Sequence, residues 1–511
     1  MAAGCLKLDI EENDFRGFSH VADFTAESGD GDGNLMCDDS CAAVSAFELC
    51  REEIFEREPV SRRITCASKL AEDVYRGEKK AVSIVREYLR QAKESQNGTY
   101  ITVMEAEAER IAEQLDRRTD CESLPLAGVP LSVKDNICIE GILTTCASRA
   151  LEDFVPTYSS TVYSRLIAAG AVPVGKTNMD EFAVGADGST SYFGPCRNPL
   201  DPSLSPGGSS SGSAASLAEG SAVISLGSDT GGSARIPASY CGLAALKPTY
   251  GAFSRWGLVG MAPSLEQICP MARCVSDVRL MFEIASGHDA RDMTTCVTWE
   301  KRRRNGRIGV FIPSEVSETA RKAVERCVAV LKAEGYEADR VELPFFDEIL
   351  GVYYTISSAE AASNLARFDG LRYGYRSEKG DILSTRNESF GAPLRERLAE
   401  GAYVLSEKSG GAYARALHMR EQIKEKLNEL FGDFDLLVTP MSDTEAASFG
   451  ETVCTAERYA VYANLAGIPA LTFPAVRGER GLPVGVQLMG AAGDDIFVLE
   501  TGEAVEGRLA W

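Results

Sequence analysis

The chain has 511 residues, 44% of them hydrophobic, with a formal net charge of −22 and a pI of about 4.8. That apolar content supplies a large core, and no run of about 18 apolar residues offers a membrane-spanning helix. A surface this acidic repels a phosphate backbone, which excludes nucleic-acid binding by this chain alone.

Residues 1–58 are acidic and turn-rich, with Asp30, Asp32, Asp38 and Asp39 set among glycines and serines, and read as a poorly ordered extension. Gly4-Cys5 follows neither a basic start nor an apolar stretch, so neither a lipoprotein nor a secretory signal is expected. The fifteen cysteines are scattered. None forms a CxxC pair, and Cys37, Cys41 and Cys50 match no standard metal spacing, so free thiols in a reducing cytoplasm are expected. Helical periodicity begins at 81–93, where Val82, Val85, Leu89 and Ala92 share one face, and returns at 105–115. Residues 125–133 form an apolar run leading into a polar turn at Lys134. A helix at 161–170 and a strand at 171–175 follow. Further on, the pattern predicts a strand at 307–312, a helix at 317–334 closed by Gly335, and a strand at 338–343. Residues 353–368 and 394–430 read as helical, and 434–438, 470–473 and 483–489 as strands. There are no internal repeats, and the alternation of strands and helices predicts sheet layers covered by helices.

The most unusual stretch is 206–247. Two Gly/Ser clusters, 207–213 and 231–233, flank a helix-forming run at 214–218 and an apolar run at 222–226. A flexible linker would share the composition, but a linker is not interrupted by a helix and a core strand. A strand ending near Gly227-Ser228, followed by glycines and a short helix from about Ser233 to Gly242, lets backbone N–H groups point inward on a tight loop. Such a loop suits an oxyanion hole beside a serine nucleophile. A phosphate cradle is the competing use, but no Gly-Lys-Ser/Thr ending is present. The base such a serine needs is not an obvious histidine, since His20, His288 and His418 lie in ordinary contexts. Lys134 can serve if burial keeps it neutral, although a lysine after an apolar run is usually a solvated strand end. Asp229 and Arg235 flank Ser233. Either could be catalytic, and an orienting hydrogen-bonding role is the commoner one.

Gly207-Gly208-Ser209-Ser210, Ser228-Asp229-Thr230-Gly231-Gly232-Ser233 with Arg235 and Pro237-Ala238, and the upstream Val133-Lys134-Asp135-Asn136 resemble the amidase signature family. Thr144-Thr145-Cys146-Ala147-Ser148, Gly175-Lys176-Thr177-Asn178-Met179-Asp180-Glu181-Phe182 and Lys247-Pro248-Thr249-Tyr250-Gly251 continue the pattern. The resemblance implies an α/β amidase signature fold over 59–511, a large mixed, twisted β-sheet with helices on both faces. It implies a Ser–cis-Ser–Lys triad of nucleophile Ser233, relay Ser209 and base Lys134, with a cis peptide at Gly208–Ser209. The oxyanion hole would be built from backbone N–H groups at Thr230, Gly231 and Gly232.

Residues 363–374, Ser-Asn-Leu-Ala-Arg-Phe-Asp-Gly-Leu-Arg-Tyr-Gly, resemble one branch of that family, the glutaminase subunits of tRNA-dependent amidotransferases. That branch implies glutamine as substrate, with Arg397 for its α-carboxylate, Tyr353 as a polar neighbour and Glu457 for its α-ammonium. Glu457 stands where the branch typically has Asp, one methylene shorter. The resemblance also implies a cytoplasmic heterotrimer with two partners, a tRNA-binding kinase/transamidase (the B-subunit) and a small third component (the C-subunit). This chain would carry no metal or cofactor, ATP and Mg would act at the partner, and tRNA would be reached only through it. Glu-tRNA(Gln) would receive the ammonia, with Asp-tRNA(Asn) as the second acceptor the resemblance allows. A free-standing amidase for another small amide and a non-catalytic scaffold of the same fold are the alternatives. The 363–374 run and Arg397 argue against the first, and the complete Ser233, Ser209 and Lys134 set argues against the second.

Overall fold

Residues 130–134 read Pro-Leu-Ser-Val-Lys, apolar and polar side chains by turns, and they form the strand that positions the site. The structure, a computed structural model, describes residues 66–118, 120–295, 302–450 and 454–509. The acidic extension expected at 1–58 lies outside the described residues. In chain order, α1 (Cys66–Tyr75) and α2 (Ala81–Glu94) precede β1 (Tyr100–Val103), α3 (Glu105–Asp116) and β2 (Pro130–Lys134). Then come α4 (Thr161–Ala168), β3 (Val172–Thr177), α5 (Ser211–Glu219), β4 (Ile224–Asp229), α6 (Arg235–Cys241), β5 (Ala244–Lys247) and β6 (Gln267–Ala272). The second half runs α7 (Val275–Ala285), β7 (Arg307–Val310), α8 (Glu318–Ala333), β8 (Glu337–Arg340), α9 (Ile349–Asn364), α10 (Ile382–Ser389), α11 (Ala392–Val404) and α12 (Ala412–Asp433). It closes with β9 (Leu436–Pro440), α13 (Cys454–Ala466), β10 (Ala470–Arg477), β11 (Pro483–Met489) and α14 (Asp495–Glu506).

Among the described residues, the strands join one mixed eleven-stranded sheet in the order β1-β3-β2-β4-β6-β5-β10-β11-β9-β7-β8. β2 runs parallel to both β3 and β4, and β7 parallel to β8 and β9, while the remaining neighbours are antiparallel. Helices cover both faces, as the strand alternation of β10 shows. Leu471 and Phe473 meet Gly502 of α14, while Thr472 on the opposite face sits beside Gly485 and Ser239 of α6. The face expected on α2 is rotated slightly: Ala81, Ile84, Val85, Leu89 and Ala92 are buried and Val82 is only partly so. No helix among the described residues is long and apolar enough to cross a membrane.

The site sits at the C-terminal ends of the parallel pair β2 and β4, where the next strand, β6, reverses direction. Open α/β sheets place their crevices at such points. Small hydroxyl residues bring α5 close to this edge. Ser132 Oγ lies 2.8 Å from Ser216 Oγ of α5 and 2.7 Å from Ser225 Oγ of β4. That close approach puts the N-terminal end of α5, with Ser209 and Ser210 just before it, over the end of β2.

Candidate active site

Alternation along β2 sends Leu131 and Val133 into the apolar core and turns Ser132 and Lys134 toward α5. Lys134 is fully buried. Its Nζ donates to Ser209 Oγ at 2.8 Å, Ser210 Oγ at 2.9 Å and Ser228 Oγ at 2.9 Å. No carboxylate among the described residues lies within ion-pair distance of this nitrogen. Burial pushes its pKa down to about 7, against the opposing pull of Asp180 and Asp229. Hydroxyls both accept and donate, so the three serines satisfy the amine in either protonation state.

The peptide between Gly208 and Ser209 is cis. Ser210 N–H donates to Ser233 O at 2.9 Å, which ties the first Gly/Ser cluster to the second. Ser233 itself precedes α6 and is partly exposed. The glycines before it are required by space. A Cβ on Gly231 would stand 2.4 Å from Tyr353 Oη, and Gly232 has φ +112°.

Asp229, at the end of β4, organises this turn. Its carboxylate accepts from Gly232 N–H at 2.8 Å and Ala234 N–H at 3.2 Å, and it pairs with Arg235 through Nε at 3.0 Å and Nη2 at 2.8 Å. Asn464 Nδ2 adds a bond at 3.0 Å. Burial opposes ionisation here, but the Arg235 guanidinium, Asn464 and the backbone donors together hold the carboxyl well below its usual range. Arg235 is in turn fixed by Gln487 Oε1 at 2.6 Å and Asn464 Oδ1 at 2.7 Å. Both residues therefore brace the turn. One expectation is corrected: Gly232 N–H is engaged by Asp229 and is not free to hold an oxyanion. The N–H groups of Thr230, Gly231 and Ser233 have no acceptor among the described residues.

Asp180 packs behind the cis peptide, where a Cβ on Gly208 would overlap its carboxylate. It accepts from Gly188 N–H at 3.1 Å and from Thr190 N–H at 3.2 Å. Burial, with Asp187 nearby, raises its pKa to about 6.

Ser233 opens onto a cleft of about 380 Å³ that Tyr353, Tyr354, Arg397 and Glu457 also line. The three residues expected to bind substrate thus come together beside Ser233, from α9, α11 and α13. Tyr354 joins the two charges. The Arg397 guanidinium lies 4.4 Å from its ring centre, and its hydroxyl donates to Glu457 Oε2. Glu400 also approaches Arg397 Nε, at 3.7 Å. One wall of the cleft therefore presents a cation over the ring of a tyrosine and an anion at its hydroxyl. Among the described residues, no group of three or more His, Cys, Asp or Glu is placed to hold a metal ion.

A family model described as Amidase matches residues 83–499. The chain belongs to the amidase family. Its relatives include A-subunit 2 of the glutamyl-tRNA(Gln) amidotransferase of Clostridium acetobutylicum, 41% identical over 455 residues, covering 84% of this chain and 95% of the relative. The A-subunit of the same enzyme from Carboxydothermus hydrogenoformans is 42% identical over 434 residues, 80% of this chain and 89% of the relative. Among solved structures, the glutamyl-tRNA(Gln) amidotransferase A-subunit of Thermotoga maritima is 32% identical with a TM-score of 0.70, covering 86% of this chain and 95% of that one. In this amidase the sequence reading missed Ser210 and Ser228 around the lysine, Asp180 behind the cis peptide, and Tyr354. The Tyr353-Tyr354 doublet was the available signal for the last.

Proposed function

We propose that this chain is the glutaminase subunit of a tRNA-dependent amidotransferase, releasing ammonia from the side-chain amide of glutamine. The observation that carries the reading is the Arg397–Tyr354–Glu457 wall beside Ser233, which offers a cation and an anion to a zwitterionic α-amino acid. Relatives named as the A-subunit of glutamyl-tRNA(Gln) amidotransferase support it.

In this mechanism neutral Lys134 takes a proton from Ser209 Oγ while Ser209 takes one from Ser233 Oγ. Ser233 attacks the amide carbon. The oxyanion that forms is held by backbone N–H groups at Thr230, Gly231 and Ser233. The relay returns a proton to the leaving nitrogen, ammonia departs, and water cleaves the glutamyl ester. The Asp229–Arg235 pair keeps the turn rigid without touching substrate. Arg397 holds the α-carboxylate, and Glu457, held by the Tyr354 hydroxyl, holds the α-ammonium.

The ammonia passes to the tRNA-binding kinase/transamidase, the B-subunit, with ATP and Mg there, in a cytoplasmic complex that also contains the small C-subunit. With a net charge of −22, this chain meets tRNA only through that partner. The test is ammonia release from glutamine by the chain purified with its co-expressed partners, with and without Glu-tRNA(Gln) and ATP. Stimulation by both supports the reading. Turnover of unrelated amides with no response to glutamine would point to a free-standing amidase.

A further inference from the structure

Glu181 is buried, and it belongs neither to the triad nor to the lining of the cleft. Its carboxylate spans two segments. Oε1 accepts from Ser148 Oγ at 2.5 Å, and Oε2 accepts from Gly391 N–H at 2.8 Å. Burial raises its pKa to about 7, opposed by those two donors and by the charge of Arg395. Two runs that stand out in the sequence, 144–148 and 175–182, meet at this carboxylate, and the mechanism above uses neither Ser148 nor Glu181.

The backbone beside Glu181 is strained. Phe182 and Ala183 have φ of +47° and +62°, the left-handed region that residues other than glycine rarely adopt. Such strain persists only where surrounding contacts hold it. Here the Phe182 ring meets Phe390 edge-on, with centres 5.9 Å apart, next to the contact between Glu181 and Gly391. On the other side, Asp180 N–H donates to Ser209 O at 3.3 Å. Consecutive residues therefore hold the relay serine and the start of α11.

Gly391 is the N-cap of α11, the helix that carries Arg397. A negative charge there also complements the helix N-terminus. Farther along α11, Gly401 lies so close to α9 that a Cβ on it would overlap Ser358 O. Arg397 falls between these two contacts, about 9 Å along the axis from the first and about 6 Å from the second. A helix pinned at one point can pivot about it. Pinned on both sides of Arg397, it cannot.

We propose that Glu181 is a positioning residue: it fixes α11, and through it Arg397, at a set distance from Ser209 and Ser233, and so matches the cleft to the length of a substrate between its α-carboxylate and its side-chain amide. That Arg397 grips the α-carboxylate rests on the function proposed above.

The test uses the full-length chain purified with its co-expressed partners, as wild type, Glu181→Ala, Glu181→Gln, Arg397→Met and Glu181→Ala/Arg397→Met. In Glu181→Ala, KM for glutamine is expected to rise about five- to tenfold with kcat within about threefold. Glu181→Gln keeps the reach. Its amide oxygen accepts from Gly391 N–H and its amide NH2 donates to Ser148 Oγ, whose own hydrogen turns to Ser389 O, 3.4 Å away. Its KM is expected within about threefold of wild type. The double variant is expected to match Arg397→Met within about twofold, since a misplaced arginine and a missing one lose the same grip. Hydrogen exchange at 395–398, measured without substrate, is expected to speed up at least about tenfold in Glu181→Ala and to stay unchanged in Glu181→Gln. If Glu181→Ala does not fold, Glu181→Asp takes its place, its carboxylate one methylene too short to reach both partners. A fall in kcat with KM unchanged, a loss in Glu181→Gln as large as in Glu181→Ala, losses that multiply in the double variant, or unchanged exchange in Glu181→Ala overturns the proposal. An absence of glutamine hydrolysis by the wild type counts against the proposed function, and exchange at 395–398 then decides by itself whether Glu181 holds the helix.

Discussion

Lys134 supplies the sharpest test of the chemistry. Burial, only partly offset by the negative charges of Asp180 and Asp229, brings its pKa from an ordinary 10.5 to about 7. An ordinary lysine would be neutral in about 1 molecule in 3,000 at pH 7, whereas this one is neutral in about half. If the neutral amine is the base, kcat/KM for glutamine rises about tenfold per pH unit below pH 6, bends near 7 and is flat above about 8. Arginine at this position keeps the charge and does not release it, so Lys134→Arg is expected to lose as much as Lys134→Ala, about 10²–10⁴-fold. Asp180 contributes in a defined direction. Its negative charge raises the lysine's pKa, so Asp180→Asn is expected to move the bend to lower pH. The assay is ammonia release under single-turnover conditions from pH 5.5 to 9. A flat profile across pH 6–8, retention of most activity by Lys134→Arg, or a bend moving to higher pH in Asp180→Asn would refute the reasoning.

Gly231→Ala places a methyl 2.4 Å from the hydroxyl and 2.5 Å from the adjoining ring carbon of buried Tyr353. The turn must shift, and glutamine turnover is expected to fall about 10²-fold, read by steady-state kinetics. Arg235→Met leaves the Asp229 charge buried without its partner, a loss of about 3–5 kcal/mol in denaturant unfolding. Asp229 has a depressed pKa in the folded wild type, so its contribution is present above the unfolded value of about 3.9 and is lost as pH falls; the variant is expected to lack that acid-side decline. Arg397→Met is expected to raise KM for glutamine more than tenfold while kcat changes within a few-fold, because the side chain grips the substrate away from the reacting carbon.

The site was legible because its chemistry is written in short contiguous runs. The two Gly/Ser clusters with their helix and strand form one such run and Lys134 ends another; the parallel pairing of β2 with β4 brings Lys134 to Ser209, 75 residues further on. What escaped was set by distant packing. β6 carries Gln267 and Pro270 among its six residues, so it shows no strand pattern, yet it is a central strand because β4 and β5 pair with it on either side. β10 was expected to end at Phe473, but it continues through Pro474 to Arg477, with its pairing to β11 shifting register between Pro474 and Val476. Residues 394–430, expected to be mainly helical, are divided between α11 and α12. Gly410 and Gly411, both at positive φ, separate them, and that Gly-Gly doublet was a readable break. The family resemblance implies that the Gly232 N–H faces the cleft. Only the fold shows the Asp229 carboxylate curling back to take it.

The most direct test is to catch the acyl intermediate. Turnover of glutamine by the wild-type chain in its complex is quenched in acid within the first cycle, and the digested peptides are analysed by mass spectrometry. A glutamyl ester on the peptide segment that carries Ser233, rising and falling with ammonia release and absent in Ser233→Ala, is the expected result. An ester on Ser209 instead, or ammonia released by Ser233→Ala at the wild-type rate, would contradict Ser233 as the nucleophile.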